Sequence, residues 1–119
     1  IIENRRIKNS IKNKRFINRI YSNSEINDSK KINNKTNFFA KRFAAKEAFV
    51  KSIGTGFKYG INFNDITVKN NKSGKPVLIL NRKLKNLLKQ RLNLKKFKIN
   101  LSLADENKYS IAFVIINKI

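Results

Sequence analysis

Apolar positions along the chain follow two different periods, and each period marks its own elements. Ile7, Ile11, Ile17 and Ile20 recur near helical spacing among Arg5, Arg6, Lys8, Lys12, Lys14, Arg15 and Arg19. This predicts one basic amphipathic helix, broken near Asn13. "SNSE" (22–25) is a Ser-x-x-Glu capping box that starts a short helix. The polar run 27–37 reads as a loop or a frayed helix end. Phe39, Phe43 and Val50 form one helical stripe and Phe38, Ala45 and Phe49 its neighbour, so residues 36–53 read as the main helix. Gly54 ends it as a C′ glycine, and "GTGFKYG" follows as a turn-rich loop.

The period then shortens to two. Ile61, Phe63, Ile66 and Val68 alternate with polar residues, predicting a half-buried strand with a bulge at Asn64 and Asp65. "NNKSG" is a turn, and "KPVLIL" is a second strand with Pro76 at its start, where a missing N–H is tolerated. Leu84, Leu87, Leu88 and Leu92 return to helical spacing. Phe97, Ile99, Leu101 and Leu103 alternate again, "ADENK" turns the chain, and residues 109–116 close a hairpin. Strands arrive as hairpins rather than as βαβ units, so the predicted class is α+β. No internal repeat is visible.

Length and composition narrow the chemistry. A chain of 119 residues predicts one domain, small enough to gain from assembly into an oligomer. It has no Cys and no His, which excludes disulfides, thiolate or imidazole metal sites and Ser-His-Asp or Cys-His catalysis. No apolar run reaches the roughly 18 residues of a membrane helix, and the start is too polar for a signal peptide. The expectation is a soluble cytoplasmic protein with no membrane partner. The chain opens on Ile rather than Met, as an N-terminally cut sequence would. A formal charge of +21 points to an anionic ligand or partner. Lys, Asn and Ile are all over-used, as AT-rich coding produces, so charge alone does not identify that partner.

The candidate chemistry lies in "KRFAAKEAFVKSIGTG" (41–56). Glu47 and Lys51 are four residues apart, a spacing that stabilises a helix by about 0.2–0.5 kcal/mol as an ordinary ion pair. Arg42 and Lys46, also four apart, would present a basic edge beside Glu47. A phosphate at that edge could be bridged by a divalent metal on Glu47. Gly54, Gly56 and Gly60 match neither the dinucleotide fingerprint nor the P-loop, and they follow a helix rather than open one. "SGKP" (73–76) is a turn whose Lys75 could touch a phosphate.

Taken together, "KRFAAKEAFVKSIGTG", "NDITV", "SGKPVLIL" and "NLSLADENKYSIAFVII" resemble, in order and spacing, the bacterial holo-acyl-carrier-protein synthases. "IIENRRI" and the "YSNSEI" capping box fit the same family, so the resemblance spans essentially the whole chain. It implies transfer of 4′-phosphopantetheine from coenzyme A to a serine of apo-acyl carrier protein, dependent on Mg2+, with adenosine 3′,5′-bisphosphate as the other product. It implies a homotrimer with sites at subunit interfaces and a role in fatty acid biosynthesis. Glu47 matches the magnesium carboxylate and Lys51 the lysine beside the pyrophosphate. Arg42 and Lys46 match basic residues around the coenzyme, and Gly54, Thr55 and Gly56 its binding loop. Gly74, Lys75 and Pro76 match the segment that borders the nucleotide across the interface. Arg6, Arg15 and Phe16 fall near the docking surface for the acidic carrier protein. The proton acceptor for the serine is either Glu47 or a metal-held water.

Three positions depart from the pattern. The family's metal-binding Asp would directly precede Ile1, so it and the strand that carries it are expected to be missing. Asn100 stands where members commonly have His, which allows coenzyme contact but not acid–base work. The segment before the main helix is short and Asn-rich. Two alternatives accompany the transferase: a basic nucleic-acid-binding protein, and a family member that binds coenzyme A or carrier protein without turnover. The first lacks the aromatic signature of RNA-binding sheets. The transferase reading expects no nucleic-acid partner.

Overall fold

Apolar residues occupy most of the circumference of one long helix, so several layers must close around it. The computed structural model describes residues 1–119 and places that helix, α4 (Lys35–Ser52), at the centre. Its cap is Asn34, whose side chain accepts the Asn37 N–H. Gly54 ends it with φ 77°, the left-handed conformation that glycine adopts without a Cβ penalty. Before it come β1 (Ile2–Glu3), α1 (Asn4–Ser10), α2 (Lys14–Ile20) and α3 (Asn23–Ser29). After it come β2 (Ile66–Asn70), β3 (Pro76–Leu80), α5 (Arg82–Leu92), β4 (Phe97–Asp105) and β5 (Tyr109–Lys118).

The strands form an antiparallel sheet in the order β1-β5-β4 and a separate antiparallel pair, β2-β3. Leu101 faces Val114 and Leu103 faces Ala112, on the side that packs against Ala45 of α4. A second cluster joins Phe49 and Val50 to Ile66, Leu80, Leu84 and Leu88, and so seats α5 and the β2-β3 pair. A third joins Ile2, Ile7, Ile20 and Tyr21 to Phe38, Phe39 and Ala44. Strand alternation leaves Tyr109, Phe113 and Ile115 on the opposite face of the sheet, with Phe113 70% and Ile115 59% exposed.

The α+β class and the hairpins follow the apolar spacing. The basic N-terminal helix does break at Asn13, because the Asn13 side chain accepts the Arg15 N–H and caps α2. Residues 61–64 are not strand. Phe63–Asp65 is a 3-10 turn, and β2 begins only at Ile66. The buried Asp65 carboxylate causes this, accepting from the Asn62 N–H, the Asn81 amide and the Lys83 ammonium. Those partners hold its pKa below the usual carboxylate range although burial alone would raise it. The 27–37 segment is shorter as a loop than its polarity suggests: α3 runs to Ser29 and α4 starts at Lys35, whose ammonium donates to the Ser29 and Ile32 carbonyls.

Candidate active site on helix α4

Lys46 and Glu47 are sequence neighbours, and the helical turn of about 100° per residue sends them in different directions. Lys46 points inward and is 0% exposed. Its ammonium lies 2.7 Å from Glu25, also 0% exposed, and donates to the carbonyls of Ile20, Phe63 and Ile66 at 2.9, 3.1 and 2.6 Å. Glu25 accepts further from the Ser22 and Val68 N–H groups, at 3.0 and 2.9 Å. Burial pulls the Lys46 ammonium below lysine's ordinary pKa range, opposed by the Glu25 charge. Arg42 is buried as well. Its guanidinium lies 3.6 Å from the Phe38 ring centroid and donates to the Phe38 carbonyl, and its Nε has no partner.

These positions correct the expected basic edge. Arg42 and Lys46 do share a helical face, but that face is the core. Lys46, expected among the coenzyme-contacting residues, has every ammonium hydrogen committed to internal oxygens and no surface for a ligand. Glu47 is half-buried and Lys51 exposed. The ion pairs of the molecule are Lys41–Asp105, Lys46–Glu25, Lys69–Asp28 and Lys83–Asp65, so the helix pair expected between Glu47 and Lys51 does not form.

Gly54, Thr55 and Gly56 follow directly from the end of α4. The Gly56 N–H bonds back to the Val50 carbonyl, and the buried Thr55 hydroxyl donates to the Gly56 carbonyl. The loop therefore stays beside Lys51. One turn before Glu47, Phe43 stacks on Phe63 at 5.1 Å and on Phe16 of α2 at 6.4 Å, and Phe57 continues the row at 3.8 Å from Phe63. Phe16 and Arg15 line a cleft of about 550 Å3 between α1 and α2. Arg6 is exposed on α1. Sequence reasoning missed Phe43, Phe57 and Phe63 as one row. Their partial exposure was the trait to look for, and periodicity does not carry it.

The remaining candidates stand on other surfaces. Gly74 and Lys75 lie in the β2–β3 turn and Pro76 opens β3; in that turn the Asn71 side chain accepts the Ser73 and Lys75 N–H groups. Asn100 pairs in register with Ile115 on the sheet face away from α4, so it does not share a surface with Glu47 within one chain.

Glu47 carries the donor atoms that magnesium prefers, two carboxylate oxygens without an ammonium on them. No group of three or more His, Cys, Asp or Glu gathers anywhere in the molecule. These residues fit an ion held by one carboxylate together with phosphate oxygens and water, not a cage made by the chain alone.

A long helix packed on a hairpin sheet, with the Glu47 carboxylate outside the core, is the arrangement to compare with known proteins. Residues 1–114 match the family model of the 4′-phosphopantetheinyl transferase superfamily, and the chain belongs to that family. Among its relatives is the holo-[acyl-carrier-protein] synthase of Pelagibacter ubique (strain HTCC1062), 53% identical over 118 residues, which cover 99% of this chain and 92% of the relative. The crystal structure of holo-[acyl-carrier-protein] synthase from Neisseria meningitidis superposes with TM-score 0.88 at 31% identity, covering 98% of this chain and 93% of that one. The holo-(acyl-carrier-protein) synthase from Bacillus anthracis str. Ames, in complex with CoA (3′,5′-ADP), superposes with TM-score 0.79 at 32% identity, covering 97% and 89%. The protein is thus an enzyme of the phosphopantetheinyl transferase type, which decides against the basic nucleic-acid-binding alternative. No helix is long and apolar enough to cross a membrane.

Proposed function

We propose that the chain, as one catalytic domain, transfers the 4′-phosphopantetheine arm of coenzyme A to a serine of apo-acyl carrier protein. Adenosine 3′,5′-bisphosphate leaves, and the product is the holo-carrier used in cytoplasmic fatty acid biosynthesis. The observation that carries this reading is the contrast at α4. Glu47 has a carboxylate with no ion-pair partner, one helical turn before the exposed Lys51, and the Gly54–Thr55–Gly56 loop follows from the end of the same helix. The carrier serine attacks the phosphorus that bears pantetheine, and the bond to the adenosine-side phosphate breaks. Lys51 would neutralise charge growing on the leaving phosphate. Glu47 would hold magnesium, which when bound shields the diphosphate, and the serine proton goes to Glu47 or to a water it orients. The cationic Arg6 and Arg15, with the half-exposed Phe16, suit an acidic partner carrying an apolar patch.

Assembly belongs to the same proposal. The exposed Phe113 and Ile115 make a continuous apolar strand face with Asn100 beside them. Burying that face in a homotrimer would bring Asn100, and with it Gly74, Lys75 and Pro76 of one subunit, toward Glu47 of the next.

The test is mass spectrometry of apo-carrier protein incubated with coenzyme A, magnesium and the enzyme. The expected result is the mass gain of the pantetheine arm, lost by about 10²–10³-fold in Glu47→Ala. A folded wild-type chain without turnover, or a fully active Glu47→Ala, overturns the proposal.

A further inference from the structure

The buried Lys46–Glu25 pair has no part in the chemistry above, and its cost is considerable. An ion pair taken out of water is often no more stabilising than apolar side chains of the same volume. Stability alone therefore does not explain an ammonium at this point. Direction does. Three N–H donors serve four oxygens from four different elements: the last carbonyl of α2 at Ile20, the α3 carboxylate of Glu25, the Phe63 carbonyl in the 3-10 turn, and the Ile66 carbonyl where β2 begins. Apolar contacts allow a helix to roll or slide by fractions of an ångström, whereas bonds of 2.6–2.9 Å from one nitrogen fix its azimuth. The residue fixed next to it in sequence is Glu47. The helix whose end it holds, α2, carries Arg15 and Phe16.

We infer that Lys46, with Glu25, is a positioning residue. From inside the core it sets the angle of Glu47 on α4 relative to the helix on which the carrier protein docks. The inference rests on the proposed transfer reaction for the roles of Glu47 and α2. It adds that an interior ion pair, and not a surface contact, aligns the two halves of the reacting complex.

Two measurements on Lys46→Met test it, with Leu88→Ala as the control. Leu88 is fully buried in α5, outside the site, and its truncation costs stability without removing any hydrogen bond of this network. Each variant is assayed at the same interval below its own melting temperature. Lys46→Met is expected to lower kcat roughly 10–100-fold and raise KM for carrier protein, leaving KM for coenzyme A within about twofold. Leu88→Ala is expected to keep both constants near wild type. In amide hydrogen exchange, residues 17–21 and 63–66 of Lys46→Met are expected to lose about tenfold more protection than the centre of α4, whose loss follows the overall drop in stability. If Lys46→Met does not fold, Glu25→Gln is read by the same two measurements. Equal kinetics for Lys46→Met and Leu88→Ala, or a loss of protection no larger in these two segments than at the centre of α4, overturns the inference. A wild-type chain without turnover would sink the proposed reaction instead, and the exchange measurement then decides this inference alone.

Discussion

Glu25 and Glu47 are both carboxylates with a lysine at hand, and they end in opposite surroundings. Glu25 is enclosed with Lys46 and shares its oxygens with two backbone N–H groups. Glu47 stands at the rim with no cation on it, although Lys51 is one turn away. The difference shows how one helix divides its work by azimuth. The inward pair is satisfied completely and so is chemically silent. The outward pair is left incomplete, which is what a site awaiting a polyanion needs. Removing one member should therefore cost mainly stability at the first region and mainly rate at the second.

The largest expected effect is on the enclosed pair. Lys46→Met strands the Glu25 carboxylate in the core and should destabilise folding by about 3–5 kcal/mol, measured by urea unfolding. A change under 1 kcal/mol would mean that the two regions are energetically alike. At the open pair, the loss should be in rate. Glu47→Gln keeps shape and one carbonyl oxygen, and is expected to slow transfer about 10²–10³-fold while changing unfolding stability by less than about 0.5 kcal/mol. A smaller effect is expected at Ser22, whose hydroxyl caps α3 and so holds Glu25 in place. Ser22→Ala should cost about 1 kcal/mol with transfer preserved.

Asp65 sharpens the comparison most gently, as a carboxylate that is buried yet paired with a half-exposed Lys83. Its pKa is depressed in the folded chain, so the unfolded chain takes up the proton first as pH falls. Its stabilisation is thus complete above the ordinary carboxylate range and disappears as pH drops through the lower folded value. Melting temperature followed from pH 5 down to acid should fall more steeply for wild type than for Asp65→Asn. Parallel curves would contradict the assigned partners.

Much of this architecture is legible in the sequence because local rules write it. The "SNSE" cap, the Gly54 terminus, the break at Asn13 and the two hairpins each depend on residues within a few positions. What was hidden depends on distant partners. Lys46 sits among charged residues and reads as surface, since lysine is almost never fully buried unless paired. Its partner lies 21 positions away, and no periodicity points there. The near-complete apolar wrapping of α4 left its azimuth open, so Arg42 and Glu47 could not be assigned to faces. Ile61 and Phe63 imitated strand alternation, but Asp65 closes a 3-10 turn over Phe63–Asp65 and Ile61 lies in the loop before it. The family resemblance singled out Glu47, Lys51 and the glycine loop as candidates, whereas Phe43, Phe57 and Phe63 became visible as a row only in three dimensions.

The uncovered side of β5 has a kinetic consequence. If a neighbour must lie over Phe113 and Ile115 before Asn100 and Lys75 can reach the reacting diphosphate, turnover per chain is a function of how many chains are present. Dilution would then act as an inhibitor that no competing ligand could mimic, and added salt, by strengthening apolar association while screening the +21 charge, would relieve it.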